Sequence, residues 1–158
     1  MADCGLRNAE CGFVRTGSDS DWVWLHKYKK ILEMKIVQPE NFPKPAGHYS
    51  PGIVCDGMVY VSGQLPLDLE TREPFAGDIG TQTELALRNV EAVLNAAGSD
   101  LSQVVQMTIY VSDIELWGEV NRKYAEIMGE HRPARAIVPV KDLHFDTKIE
   151  IQAIAAVR

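Results

Sequence analysis

Cysteine is scarce in this chain: Cys4, Cys11 and Cys55 are the whole complement. An odd count, with no His or Cys partner at zinc spacing, argues against a disulfide framework and against a zinc site. Three reduced thiols are expected. Long apolar runs are missing too. No stretch reaches the roughly 18 residues that span a bilayer. Met1 to Arg15 lacks the apolar segment of a secretory signal. A cytoplasmic protein with no membrane partner is the expectation. Basic charge is in deficit, 16 Lys and Arg against 22 Asp and Glu, for a formal net charge of −6. A nucleic-acid binder usually shows a basic stripe instead, so nucleic acid is not an expected partner. His26, His48, His131 and His144 show no metal-ligand spacing, and there is no Walker loop or dinucleotide fingerprint. Neither a metal nor another cofactor is expected. What is there is ordinary: 46% apolar and 24% charged residues over 158 positions, enough for one soluble domain with a real core.

The first 33 residues differ from the rest. Met1 to Ser20 is rich in Gly, Ser, Asp and Asn and has no period. Ser20-Asp21 can cap a short helix through Trp22, Leu25, Tyr28, Lys29 and Leu32. Met34-Lys35-Ile36-Val37 reads as a strand and as a candidate native start. Residues 1–33 are therefore expected to be an appended or mis-called extension, and 34–158 the functional domain. The alternative is an extra helix that packs on a neighbouring subunit.

From Met34 the pattern is dense. Tyr49 to Cys55 and Met58 to Ser62 flank Asp56-Gly57, a favoured two-residue hairpin turn. Leu65 to Gly77, with two prolines and several charges, reads as a loop. Ile79, Thr83, Ala86, Leu87, Val90, Val93, Leu94 and Ala97 repeat at helical spacing, and Gly98 stops the helix. Val104 to Val111 alternates, with Val105, Met107, Ile109 and Val111 on one side. Ser112-Asp113 can cap a second helix from Glu115 to Met128, whose buried stripe would be Leu116, Trp117, Val120, Tyr124, Ile127 and Met128. Strands at Ala134–Val140 and Thr147–Val157 close the chain.

This order, β-β-β-α-β-α-β-β, implies a two-layer α+β domain: a mixed six-stranded sheet with two helices on one face. The other face, with Val104, Thr108 and Tyr110 and with Val59 and Val61 or their neighbours, is too apolar to stay wet. An oligomer with inward-facing sheets is expected. Arg135 lies at the mouth of one late strand. On the last strand, Ile149, Ile151, Ala153 and Ala155 share one face, with Lys148, Glu150 and Gln152 on the other. If the two strands are neighbours, Arg135 and Glu150 can face one cavity. An Arg fork grips a carboxylate and a Glu holds a water, which points to a small anionic substrate and a hydrolytic step. The plain alternatives are a surface ion pair for Arg135 and an exposed strand acid, paired with Lys148 or Lys141, for Glu150.

Six short stretches occur in order: Gly47-His48-Tyr49-Ser50, Val61-Ser62-Gly63-Gln64, Asn89-Val90, Val120-Asn121-Arg122-Lys123-Tyr124, Pro133-Ala134-Arg135 and Ile149 to Ala155. Together they resemble the RidA (YjgF) family over Met34 to Arg158. The resemblance implies a chorismate-mutase-like fold and a homotrimer, with the three sheets forming a central barrel and clefts between subunits. It implies hydrolysis of reactive enamines or imines, such as 2-aminoacrylate, to a 2-oxo acid and ammonia, without a cofactor. Arg135 matches the residue that anchors the substrate carboxylate, and Glu150 the acid that positions water; both are the catalytic candidates. Tyr49, Ser62, Gly63 and Asn121 match substrate-binding positions. Tyr49 would cover the substrate, Ser62 would hydrogen-bond, and Gly63 would admit backbone N–H groups.

Each has a plain alternative: an interface aromatic, a turn serine, a strand-end glycine and a helix-surface Asn. Arg132 matches nothing specific and reads as solvated. Two departures bear on the substrate. Ile137 stands where many members carry Cys, and Pro51 follows Ser50 where Gln is usual. Other readings are a deaminase of a specialised substrate such as 2-aminomuconate, a non-enzymatic binder of 2-oxo acids or holdase, and, third, a ribonuclease or translation inhibitor.

Overall fold

The computed structural model describes residues 11–15, 22–26, 33–68 and 70–158. The chain divides into two compact units, Met1–Leu32 and Glu33–Arg158.

In the first unit, β1 (Cys11–Arg15) and β2 (Trp22–His26) pair antiparallel, with Phe13 opposite Trp24 and Arg15 opposite Trp22. This corrects two expectations. Trp22 to His26 is a strand, not the start of a helix, and Cys11 to Arg15 has regular structure. The physical reason is local: Trp-Val-Trp-Leu opposite Gly-Phe-Val is rich in aromatic and β-branched residues, which fit a pleated surface better than a helix. The Ser20-Asp21 cap and Tyr28, Lys29 and Leu32 lie outside the described residues.

The second unit holds one six-stranded sheet. Its strands are β3 (Met34–Val37), β4 (Gly52–Cys55), β5 (Met58–Gln64), β6 (Val104–Val111), β7 (Ala134–Pro139) and β8 (Ile149–Ala156). Their order is β3-β4-β5-β8-β6-β7. All pairs are antiparallel except β6 and β7. The parallel pair requires a crossover, which α2 (Trp117–Met128) supplies. α1 (Ile79–Ala96) connects β5 to β6 across the intervening β8. Both helices lie on one face, so the architecture is the two-layer α+β arrangement anticipated. At the β4–β5 turn Asp56 and Gly57 both have positive φ, 50° and 77°, as a tight hairpin of this type demands.

Helix α1 forms where Asp78 accepts a hydrogen bond from the Thr81 N–H and apolar residues recur every three or four positions. Ala86, Leu87, Val90, Val93 and Leu94 are fully buried. The helix ends at Gly98, whose φ of 79° suits the left-handed cap, with the Ser99 N–H donating to the Leu94 carbonyl. Gln82 is buried but satisfied: it donates to the Gly77 carbonyl at 2.9 Å and accepts from the Lys148 N–H at 2.8 Å. That pair ties the helix start to the entrance of β8. In α2, Val120, Tyr124 and Met128 form the buried stripe. Trp117, expected in that stripe, is 46% exposed. One turn of 3-10 helix at Ile114–Leu116, capped by Asp113, precedes α2 and rotates Trp117 away from the sheet.

The open face carries Thr108 and, as neighbour of Val59 and Val61, Tyr60, as expected, but departs from expectation at Val104. Val59, Val61 and Val104 turn toward the helices and are buried. A register shift between Val104 and Gln106 reverses the alternation at the start of β6, so Val105 is exposed and Val104 is not. Tyr60, Gln106, Thr108, Gln152 and Ile154 line the shallow hollow on that face. Among the described residues no helix is long and apolar enough to cross a membrane.

Candidate functional site

Strand alternation decides where Glu150 goes. Ile149 and Ile151 are fully buried under the helices, so Glu150 between them turns to the opposite side. There its carboxyl lies on Gly63. A methyl group added at Gly63 would stand 1.8 Å from Glu150 Oε1, so the carboxyl occupies space that only glycine leaves open. The β5–β8 register shifts between Val61 and Gln64, which leaves Ser62 and Gly63 out of the ladder and creates this seat. Burial raises the Glu150 pKa above the ordinary glutamate value; the charge of His144 opposes the shift more weakly. The group is therefore a carboxyl that holds its proton unusually well, with no ion pair among the described residues.

Ser62 serves the backbone. Its hydroxyl donates to the Ser50 carbonyl at 2.7 Å, and its N–H donates to the Pro51 carbonyl at 3.0 Å. These bonds fix the segment that carries Tyr49. Tyr49 is exposed, its ring folded against Gly47. With Gly63, Gln64, Arg72, Phe42 and Phe145 it lines a cavity of about 260 Å³.

Arg135 lies elsewhere. Its guanidinium donates to Asn121 Oδ1 at 2.8 Å and stands 4.5 Å over the Tyr124 ring. Both partners belong to α2. With His131 and Arg132 these residues line a second cavity, of about 530 Å³. The Tyr124 hydroxyl is buried without a hydrogen-bond partner. Burial raises its pKa, and the Arg135 charge pulls the other way. Arg132, expected to be merely solvated, borders the same cavity. Ile137 pairs in register with Ile109 and packs on the core.

One expectation fails here: the strands of Arg135 and Glu150 are not neighbours. β6 runs between them, and Arg135 is level with Met107 while Glu150 is level with Tyr110. Three residues along and two strands across put their Cα atoms about 14 Å apart. An odd offset also places them on opposite faces, Arg135 with the helices and Glu150 on the open side. Within one chain, Asn121 and Arg135 come together, and Glu150 lies on Gly63, which shares a cavity with Tyr49, but the two groups do not meet. The chain thus carries two half-sites. Three contributors escaped the sequence reading. Arg72 sits in a segment that reads as loop, Tyr124 reads as core, and Phe145 follows a histidine without spacing. Among the described residues no cluster of His, Cys, Asp and Glu could hold a metal ion.

A mixed six-stranded sheet with two helices on one face, and polar half-sites on both faces, defines a two-layer α+β domain. The Endoribonuclease L-PSP family model matches residues 39–157, and the chain belongs to that family, the one that includes the RidA and YjgF proteins. It is 42% identical over 121 residues to a RutC family protein of Pyrococcus horikoshii, covering 77% of this chain and 96% of the relative. It is 35% identical to the Escherichia coli protein named "Putative reactive intermediate deaminase TdcF", covering 77% of this chain and 95% of that one. The crystal structure of the Escherichia coli YjgF gene product superposes with a TM-score of 0.73 at 38% identity, covering 78% of this chain and 99% of that one. That of TdcF with bound serine gives 0.73 at 34%, again covering 78% and 99%.

Proposed function

We propose that this protein hydrolyses reactive imines of small amino acids to 2-oxo acids and ammonia, at sites completed between subunits of a homotrimer. The carrying observation is Glu150: a half-buried carboxyl seated on Gly63, with its pKa raised and no counter-ion among the described residues. A carboxyl so placed, with its proton affinity raised by burial, is suited to passing protons. The reaction needs this. Water adds to the C=N carbon, the nitrogen gains a proton, and the carbinolamine then expels ammonia as its hydroxyl proton leaves. One water is consumed and one ammonia released, with no redox change. Glu150 carries the protons. Arg135, held by neutral Asn121 and the Tyr124 face, keeps its remaining N–H groups for the substrate carboxylate.

The two half-sites cannot serve one substrate within a chain. Apposing the open sheet faces of three copies would bury Tyr60 and its neighbours, and because Arg135 lies on the edge strand β7, the Arg135 half of one subunit would meet the Glu150 half of the next at that edge. Serine bound to TdcF supports an amino-acid-sized ligand, and TdcF's deaminase name supports the reaction class. The test couples the protein to a dehydratase that generates 2-aminoacrylate. Faster pyruvate release with wild type, and none above background with Glu150→Gln, is expected. No acceleration, or RNA cleavage that depends on Glu150 instead, overturns the reading. Sedimentation should give a trimer at micromolar concentration; a monomer would sink the shared site.

A further inference from the structure

Arg72 is the least comfortable residue of the Glu150 half. It has a φ of 61°, a left-handed conformation that a long side chain adopts only when its surroundings impose it. The surroundings do so. The Asp68 N–H donates to the Glu73 carbonyl and the Phe75 N–H to the Pro66 carbonyl, closing a tight loop with Arg72 at its bend. Its guanidinium turns inward, lies 3.9 Å over the Phe42 ring and donates to Asn89 Oδ1. Asn89 is itself buried and fixed by the Leu65 and Leu67 carbonyls.

The cation lacks an acid. Its Nε is buried without a partner, and it makes no ion pair among the described residues. Asp68, close enough to be felt electrostatically, is committed to its own turn: its Oδ1 accepts from the Glu70 N–H, the Thr71 N–H and the Thr71 hydroxyl. A half-buried guanidinium held by a neutral amide and a ring is a preorganised anion receptor. It opens on the cavity of Tyr49 and Gly63, whose lining includes Lys44 and no carboxylate residue.

We propose that Arg72 binds a second acidic group of the substrate, so that the preferred imines are those of dicarboxylic amino acids. This rests on the imine-hydrolase reading: Arg135 holds the carboxylate beside the C=N carbon, and Arg72 the distal one. It adds no covalent step.

The test compares kcat/KM for 2-iminoglutarate and 2-iminopropanoate, each generated in the assay by an amino-acid oxidase, in wild type and Arg72→Gly. Glycine suits the positive φ, so the loop should survive, and an unchanged or higher melting temperature verifies it. Wild type should favour the dicarboxylate. Arg72→Gly should lower the dicarboxylate-to-monocarboxylate ratio at least about tenfold, as loss of a charged hydrogen bond does. No wild-type preference, or a ratio that moves less than about threefold, overturns the proposal. If neither imine is turned over, the reaction reading fails and calorimetry decides the site. Titration with 2-oxoglutarate and 2-oxobutanoate should show an Arg72-dependent preference for the dicarboxylate; equal binding overturns it.

Discussion

The two half-sites are built on opposite principles. Glu150 occupies a space made by removing a side chain: Gly63 has no Cβ, and the carboxyl fills the gap. Arg135 is instead held by added contacts, a hydrogen bond it donates to Asn121 and the face of Tyr124. An acid pressed into such a seat is poorly solvated and holds its proton more readily; a guanidinium on an amide and a ring is fixed in direction. On the proposed reading, one half moves protons and the other holds geometry. Neither does the other's work, which is why a reaction needing both requires their apposition.

Kinetics should split along that line, and this is the largest effect expected. Glu150→Gln should lower kcat by about 10²–10⁴-fold with little change in KM. Arg135→Ala should act mainly through KM, lowering kcat/KM about 10–100-fold. Gly63→Ala should resemble Glu150→Gln, because its methyl collides with the carboxyl and not with the Arg135 half. Steady-state measurement on one imine checks all three. If Glu150→Gln changes KM alone, the division of labour is wrong.

Mixing the damaged halves asks whether they belong to one chain. Trimers reassembled from equal amounts of Glu150→Gln and Arg135→Ala subunits contain interfaces where an intact Glu150 meets an intact Arg135. With one contribution from each neighbour, about a quarter of the sites are whole, and about a quarter of wild-type activity should return. If one chain supplied both groups, mixing would restore nothing.

The difference between the halves also marks what could be read beforehand. The Ile149-to-Ala155 alternation, the Asp-Gly hairpin and the period of α1 are local signals, and the structure repeats them. Strand order is not local. Nothing near Arg135 or Glu150 announces that β6 runs between their strands, so the two read as partners across one gap. The register shift at Val104 is invisible for the same reason, being defined by pairing with β8. In the N-terminal unit, Trp22 and Leu25 at a spacing of three imitate a helix, and only their pairing with Arg15 and Gly12 shows the strand. Arg72 was hidden by a loop composition that speaks for turns in general and not for which side chain turns inward.

The smallest expected effect is on stability, and it separates a buried Glu150 from a solvated one. Burial raises its folded pKa above the usual 4.5, so the folded form binds the proton more tightly than the unfolded chain does. The favourable contribution is then fully present below about pH 4.5 and is lost as pH rises through the folded value. Glutamine has the same shape and no proton to lose. Glu150→Gln should therefore melt close to wild type near pH 4 and above it at pH 7. Asp68, Asp78, Asp100 and Glu126 shift the opposite way, each lowered by its own hydrogen bonds. They are common to both proteins, so they tilt both stability curves alike and cancel in the difference. A difference in melting temperature that stays flat, or narrows toward pH 7, would mean that the carboxyl on Gly63 is well hydrated. Glu150 would then be an ordinary exposed strand acid, and the contrast between the two half-sites would lose its physical basis.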